Sequence, residues 1–445
     1  MPFNIVVGRN ESDRKKFGDN GTILLGRNYV KMGRTTSLSN FVYMDVIRSH
    51  VVFVVGKRGS GKSYSSSVIA EGMVDLPEEI ANNLSIIMLD TMGIYWTMKY
   101  PNEKDADLLE MWNLKPKGLE KIKIFTPHGQ FQKQLDDGVP TDYPFSIRAS
   151  ELTGEDWRLA FELGASHTVS ILIEKTLGDF AEEGKDEFDI NDIVEAILKD
   201  GTFHQDVRNE AVNRFRAAKR WGLFSDKGTP IDVLIKGGQV TVLDVSIYAY
   251  SEGGWGVKSL VVGLTAKRLF LERMISRKLE EIEAIRVGYS YFKLEEETDS
   301  KDRKPMVWLM LDEAHEMLPR EGKTAATDAL VTILREGRQP GISLLLITQQ
   351  PGKIHSDVMT QSDIVLAHRL TARVDIDALN SMMQEYLGDT LTGYLNMLPA
   401  EKGAAIILDD NSERLYPMRV RPKFSWHGGE APTAIKYRRS LDLGL

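Results

Sequence analysis

Short apolar runs alternate with longer amphipathic stretches through most of this chain. Runs of four to seven β-branched and aliphatic residues predict strands that are buried on both faces of a sheet. These runs lie at 51–55, 84–89, 122–125, 240–245, 307–311 and 342–348. The segments between them mostly have the apolar spacing of helices. The sequence therefore predicts an α/β fold with a mostly parallel sheet and helices on both faces.

The N-terminal part and the middle of the chain depart from this alternation. Residues 1–45 are rich in strand candidates and predict a small β module, too short for a complete barrel, with an exposed charged loop at 11–16. Residues 150–228 predict a helical insertion, with helices at 155–177, 190–199 and 203–221. The predicted domains are therefore the module at 1–45, a core in two parts at 46–149 and 229–425, the insertion at 150–228 and a C-terminal tail at 426–445.

A long helix is predicted in the second part of the core, at 254–285, with a charged exposed loop after it at 295–304. Its apolar positions are spaced for one face. They are Val257, Val261, Leu264, the stem of Arg268, Leu271, Ile275 and Leu279. The helix predicted at 203–221 carries several cations, which form either a solvated face or a contact with DNA or another subunit.

Residues 56–63 match the pattern G-x-x-x-x-G-K-S of a phosphate-binding loop, between a predicted buried strand and a predicted helix. Backbone N–H groups of such a loop surround phosphate oxygens, and the helix N-terminus adds its dipole. The lysine is expected to reach the β- and γ-phosphates of ATP, and the serine to bind Mg²⁺. The predicted nucleotide-binding residues are Gly56, Lys57, Arg58, Gly59, Ser60, Gly61, Lys62, Ser63 and Tyr64.

Two carboxylates follow the apolar run at 307–311, in the manner of a Walker B element. Asp312 is predicted to hold Mg²⁺ through water, and Glu313 to act as the base that polarises the attacking water. Gln349 follows another predicted strand, at the edge of the sheet where ligands bind, and is a candidate sensor of the γ-phosphate. His315 completes the letters of a DEAH box and is interpreted as local structure.

Arg335 and Arg338 lie in a predicted turn between a helix and the run at 342–348. One of them can reach the γ-phosphate bound by a neighbouring subunit, as an arginine finger does. The simpler interpretation is a surface ion pair with a nearby glutamate. Lys99 and Lys104, shortly after a predicted strand, are candidate loop cations for DNA, although ordinary surface lysines have the same pattern.

Composition limits the classes of function. The chain of 445 residues has no cysteine, which excludes disulfides, zinc–thiolate sites and cysteine nucleophiles and predicts an intracellular, cytoplasmic protein. No apolar stretch reaches the length of a membrane span, so no membrane association is predicted. The net charge of −8 means that any nucleic-acid site must be a local basic patch.

Together these motifs resemble the HerA family, within the HerA/FtsK branch of ring-shaped DNA-translocating ATPases. The phosphate-binding loop, the segment from Asp90 to Tyr95, the strand end at Asp312, and Arg338 followed by Gln349 carry the resemblance, which extends over about residues 46–425. It implies a RecA-like core and a hexameric ring that hydrolyses ATP with Mg²⁺ and moves double-stranded DNA. In archaea such rings act with the nuclease NurA, which implies a nuclease partner of that type and a role in DNA repair.

The resemblance also implies roles for single residues. Lys62, Glu313, Arg338, Gln349 and Asp90 take the family's catalytic positions, and Ser63 and Asp312 its metal positions. Arg48 is loosely aligned with a second arginine acting between subunits. The sequence departs from the family pattern at Ile94 and Gln350, where a glutamate and an arginine are usual.

Two other functions stay open. The same ring can regulate a partner effector, as in antiviral defence, instead of moving DNA. Alternatively, the chain can be a kinase or GTPase switch acting alone, although the N-K-x-D motif of guanine recognition is absent. A single phosphate-binding core with candidate arginines and no second core favours completion by another copy.

Overall fold

The computed structural model describes residues 4–32, 35–250, 253–289, 304–383, 393–395 and 398–429. Within them, one sheet contains the strands β1 (Ile5–Val7), β2 (Thr22–Met32), β3 (Thr35–Asp45), β4 (Val51–Val55), β5 (Leu84–Asp90), β6 (Ile122–Pro127), β7 (Tyr143–Phe145), β8 (Val240–Asp244), β9 (Met306–Leu311), β10 (Ile342–Thr348), β11 (Ile364–His368), β12 (Ala404–Asp409) and β13 (Arg414–Val420). The α-helices of the described residues are α1 (Glu11–Phe17), α2 (Lys62–Val74), α3 (Glu78–Ala81), α4 (Ala106–Met111), α5 (His128–Asp136), α6 (Gly154–Ala160), α7 (Thr168–Glu182), α8 (Ile190–Lys199), α9 (Gln205–Lys219), α10 (Ile231–Leu234), α11 (Gly254–Tyr289), α12 (Thr327–Glu336), α13 (Ser356–Gln361) and α14 (Arg373–Met383).

The predicted α/β fold with a mostly parallel sheet is confirmed. The strand order is β1-β3-β2-β13-β12-β11-β4-β10-β9-β5-β8-β6-β7. The strands from β11 to β7 are parallel to one another, whereas β11 is antiparallel to β12. Phe53 and Val55 of β4 join the hydrophobic core on one face of the sheet, and Val52 and Val54 join the core on the other. Because both faces are covered, every residue of β4 is apolar.

The order of the central strands brings together motifs that are far apart in sequence. β10 lies between β4, which precedes the phosphate-binding loop, and β9, which precedes the two carboxylates. All three strands run in the same direction. Their carboxyl ends therefore meet at one edge of the sheet, where ligands of open α/β folds bind.

The first strands of the chain extend the same sheet, since β2 pairs with β13. A buried polar network joins them to the core. His50, before β4, lies 3.1 Å from the carboxylate of Asp45 and 2.7 Å from that of Asp363. Arg9 also binds Asp45, and its side chain is fully buried. Burial alone would lower the pKa of His50. The hydrogen bonds to Asp363 and Asp45 outweigh this effect and raise the pKa to about 9.

This network predicts a loss of stability in mildly alkaline solution. Because folding raises the pKa of His50 from 6.5 to about 9, protonated His50 stabilises the fold fully below pH 6.5, and this contribution is lost as the pH rises through 9. The shift corresponds to about 3 kcal/mol of unfolding free energy. Urea unfolding between pH 6 and 9.5 should show this decline in the wild type but not in His50→Gln. A control, His204→Gln, changes a side chain that is 78% exposed and should keep the wild-type slope.

Two local predictions are wrong because capping signals interrupt the patterns on which they rest. The helix predicted at 155–177 is two helices, α6 and α7, and the side chain of His167 caps the second by accepting from the N–H of Val169. The predicted exposed loop at 11–16 is helix α1, with Asn10 as its N-cap.

The long helix predicted at 254–285 is α11, but its single packed face is not observed. Val257, Val261 and Leu264 are buried, whereas Leu271, Ile275 and Leu279 are more than half exposed. The predicted loop at 295–304 lies outside the described residues except for its last residue. Among the described helices, none is long and apolar enough to cross a membrane.

Candidate nucleotide-binding site

The phosphate-binding sequence forms a tight turn between β4 and α2. Gly59 and Gly61 have φ angles of 74° and 108°, in the region that favours glycine. A Cβ on Gly56 would overlap Ser60 and His368. These three glycines let the backbone fold closely around the free N–H groups at the start of α2, which is the geometry of an anion site.

The charged side chains beside this turn are partly withdrawn from water. Lys62 is buried, and its Nζ donates to the carbonyl oxygen of Lys57 at 3.1 Å. Burial lowers the pKa of Lys62, while the nearby carboxylates of Glu313 and Asp312 oppose this change. The positive charge of Lys62 therefore offsets part of the negative charge of these two carboxylates.

The serine of the loop meets the first carboxylate of the predicted Walker B element. Ser63 Oγ donates to Asp312 Oδ2 at 2.7 Å, although 249 residues separate them in the sequence. The hydroxyl of Tyr95 donates to the same oxygen at 3.2 Å and also lies 3.1 Å from Ser66 Oγ. Tyr95 and Ser63 therefore both hold Asp312 through the same carboxylate oxygen.

The second carboxylate has an unusual backbone and an incomplete set of partners. Glu313 adopts a left-handed conformation with φ 51°, which is uncommon for a residue other than glycine. The amide of Gln349 donates to its Oε1, and His315 Nδ1 lies 3.6 Å from its Oε2. This Oε2 is buried and accepts no hydrogen bond from the described residues. Burial and the charge of Asp312 raise the pKa of Glu313.

Asp90 lies at the end of β5 and holds the turn that carries Tyr95. Its carboxylate accepts the backbone N–H groups of Met92, Gly93 and Tyr95 at 2.7–3.2 Å. Burial and the neighbouring Asp244 raise the pKa of Asp90 to about 7, against the effect of these three donors. Asp90 therefore acts on Asp312 only indirectly. It holds the backbone of Tyr95, and the hydroxyl of Tyr95 donates to Asp312. The sequence singled out Tyr95 within a motif, but no local signal revealed its bond to Asp312.

Removing the hydroxyl of Tyr95 tests this arrangement. We expect Tyr95→Phe to raise the Mg²⁺ concentration required for half-maximal ATP hydrolysis by about 10-fold, because groups that orient a metal-binding carboxylate typically contribute that much to affinity. Titrating Mg²⁺ at saturating ATP measures the effect. Tyr100→Phe is the matched control, since Tyr100 is 48% exposed. Equal Mg²⁺ dependence in both variants would contradict the role of Tyr95.

The predicted arginine finger lies at the opposite edge of the sheet. Arg338 is in the turn before β10, whose seven residues separate the two edges by about 20 Å. It lines a cavity of about 880 Å³ together with Arg48, Arg277 and Arg335. Arg338 is exposed and has no ion pair with a described residue, whereas Arg335 binds Asp357. Arg338 therefore cannot contact a nucleotide on the loop of its own chain.

Other cations singled out in the sequence already have partners. Arg48 donates two hydrogen bonds to Asp13, at 2.7 and 2.9 Å, and its side chain is 55% exposed. Lys99 donates to both carboxylate oxygens of Asp142, at 2.8 and 2.7 Å. The ion pair of Lys99 matches the ordinary structural interpretation better than a free DNA-binding loop.

The segment after β13 packs against α2, a contact that no pattern in the sequence predicted. Glu71 of α2 is fully buried and accepts from Arg421 and from the backbone and hydroxyl of Ser425. Tyr64 Oη lies 2.6 Å from the backbone nitrogen of Lys423 and so accepts its N–H. We call residues 421–426 the strap. It holds the helix that follows the phosphate-binding loop.

The residues of this edge fit a nucleoside triphosphate and a divalent cation. The glycine turn and the start of α2 provide donors for phosphate, and the buried Ser60 Oγ has no partner among the described residues. Ser63 and Asp312 offer oxygen ligands of the kind Mg²⁺ prefers.

Comparison with known proteins agrees with this geometry. The family model described as the central domain of the helicase HerA matches residues 30–254. The chain is 31% identical over 153 residues to the probable DNA double-strand break repair helicase HerA of Methanocaldococcus jannaschii, a match that covers 33% of this chain and 30% of that protein. It is 22% identical over 421 residues to the DNA double-strand break repair helicase HerA of Pyrococcus furiosus, covering 92% of this chain and 72% of that protein.

Among solved structures, VirB4 of Thermoanaerobacter pseudethanolicus superposes with a TM-score of 0.55 at 12% identity, covering 91% of this chain and 97% of that one. At this identity the likeness concerns the fold, which is a RecA-like α/β core. Since the family model matches half of the sequence, the chain belongs to the HerA family.

Proposed function

We propose that this protein hydrolyses ATP and uses the energy to move double-stranded DNA through a ring of six copies. One observation carries the proposal. The phosphate-binding loop and its carboxylates occupy one edge of the sheet, whereas Arg338 and its cavity occupy the other. A site completed by Arg338 therefore needs a second copy.

The chemistry proposed for the loop edge assigns one task to each side chain. Lys62 and the backbone N–H groups of the turn bind the phosphates, and Ser63 and Asp312 hold Mg²⁺, which when bound neutralises phosphate charge. Glu313 accepts a proton from the attacking water, and Gln349 orients that water. The raised pKa of Glu313 brings the carboxylate closer to the range useful for a base.

The proposed ring follows from the direction of the contact. A contact between the loop edge of one copy and the opposite edge of the next is head-to-tail, and such contacts form rings when the rotation closes. The number six is the family expectation. Arg338 then stabilises charge on the γ-phosphate bound by its neighbour.

Double-stranded DNA is proposed as the substrate because two relatives are named as DNA double-strand break repair helicases. The net charge of −8 requires that DNA meet a local basic surface, which a ring concentrates in its channel. Such binding must weaken with salt. A nuclease of the NurA type is the proposed partner.

The test is ATP hydrolysis by the purified protein, with and without linear double-stranded DNA, at low and moderate salt. We expect DNA to stimulate hydrolysis, and we expect this stimulation to fade with salt. Lys62→Ala should abolish hydrolysis, which excludes a contaminating ATPase. If DNA does not stimulate hydrolysis at any salt concentration, the result would contradict DNA translocation and favour an ATPase that regulates a partner effector.

A further inference from the structure

The outer half of α11 presents an apolar stripe to solvent. At 100° per residue its members fall within about a third of the helix circumference. They are Leu271, Ile275, Leu279, Ile282 and Ile285, which are 46–62% exposed. We call this set the α11 stripe. Contiguous apolar surface of this kind marks interaction sites in soluble proteins.

On the other side of this half of α11, the residues are polar and face the protein. Arg273 is 2% exposed and donates to the carbonyl oxygens of Pro340 and Lys304, at 2.9 and 2.8 Å. Ser276 is 7% exposed. Glu280 accepts from Arg277 at 3.0 Å. A surface helix normally has the reverse polarity, with its apolar side inward. The sequence of this half is therefore suited to an apolar partner on the outside.

We propose that the α11 stripe is covered by a second copy of this chain, the head-to-tail neighbour in the ring. This inference rests on the proposed function. The polar side of the same half contributes Arg273, Arg277 and Glu280 to the cavity that contains Arg338. A neighbour whose nucleotide reaches Arg338 must therefore pass beside α11, and it covers the α11 stripe by extending around the helix from the cavity.

The dimensions favour a folded neighbour over a short peptide. From Leu271 to Ile285 the α11 stripe is about 21 Å long. A stable interface needs about 800 Å² per partner, more than one helix face supplies. The occupant must therefore also cover the adjacent cavity wall, which is rich in arginine. A second copy, with a net charge of −8 and a bound triphosphate, has the complementary charge.

The test compares a charged α11 stripe with a charged control surface. The double variant Ile275→Glu, Leu279→Glu places two anions in the proposed contact with an acidic neighbour, and Met111→Glu changes a residue on α4 that is 77% exposed. Sedimentation velocity over a range of protein concentrations measures assembly. We expect the double variant to require roughly 100-fold more protein to assemble, because charges at the centre of an apolar contact disrupt it. The Met111→Glu variant should assemble as the wild type does. Unchanged assembly of the double variant would overturn the inference.

Cross-linking identifies the occupant even if the double variant folds poorly. The chain has no cysteine, so Leu279→Cys introduces a single thiol to which a benzophenone can be attached. Cross-links between chains, mapped to residues near the neighbour's phosphate-binding loop, are expected. Links confined to residues 290–303 of the same chain, or a disulfide joining two Cys side chains at this position, would overturn the head-to-tail arrangement.

Failure of this inference is distinguishable from failure of the proposed function. If the charged double variant assembles normally while Arg338→Ala stops hydrolysis, the α11 stripe is not part of the contact between copies. The proposal of a nucleotide site shared between two copies is then still supported. If the double variant dissociates and Arg338→Ala hydrolyses ATP normally, the contact at the α11 stripe is supported and the role of Arg338 as an arginine finger is rejected.

Discussion

Replacing Arg338 with alanine is expected to lower ATP hydrolysis by roughly 10³–10⁵-fold, the usual contribution of an arginine finger. Nucleotide binding should be nearly unchanged. Arg338 lies at the opposite edge of the sheet from the phosphate-binding loop and lines a separate cavity. It can therefore act only on the nucleotide of a neighbour, after that nucleotide is bound.

The comparison with Arg335→Ala decides between the two arginines of the turn. Arg335 is already bound to Asp357, so its removal should change hydrolysis far less. Mixing wild-type and Arg338→Ala subunits gives a second measurement. A shared site predicts that activity falls more steeply than the fraction of wild-type subunits. A strictly linear decrease, or loss of nucleotide binding by Arg338→Ala, would contradict the assignment.

Glu313→Gln has the second largest expected effect, a decrease in hydrolysis of roughly 10²–10⁴-fold, the usual contribution of a general base. Glutamine keeps the size of the side chain and its position beside Gln349 but cannot accept a proton. Binding of ATP and Mg²⁺ should persist, because Ser63 and Asp312 are unchanged. Rapid-quench measurement of a single turnover separates the chemical step from binding.

The pH profile provides an independent readout of the same residue. Burial and Asp312 raise the pKa of Glu313, and the base acts only when it is deprotonated. Wild-type hydrolysis should therefore fall as the pH decreases through this raised pKa, and the residual activity of Glu313→Gln should lack that decrease. Glu336→Gln, at an exposed position, is the matched control. If Glu313→Gln hydrolyses ATP at the wild-type rate, Glu313 is not the general base.

Local patterns in the sequence were enough to predict the strands and most of the candidate site. The phosphate-binding loop is a run of eight residues, and the two carboxylates directly follow a strand. The parallel arrangement of β4 and β9 follows from the alternation of strands and helices. Contact between Ser63 and Asp312 is then expected because their strands end at the same edge.

Contacts that depend on strand order or on distant segments could not be predicted. The position of Arg338 relative to the loop became clear only with the direction of β10 in the sheet. The bond between Tyr95 and Asp312 and the buried pair of Glu71 and Arg421 have no local pattern, since each joins residues more than 200 positions apart. On α11 the apolar spacing was correctly detected, but spacing alone does not say which side faces the protein.

The strap has a consequence for how the molecule is made. A ribosome releases the phosphate-binding loop early, yet Glu71 in the helix behind it finds its partner Arg421 only 350 residues later. Until then this carboxylate has no guanidinium to neutralise it, and the strands from both halves of the chain cannot close into one sheet. The first motif to be translated is thus among the last to be completed. Tight binding of ATP during synthesis should accordingly mark a chain whose strap has already left the ribosome.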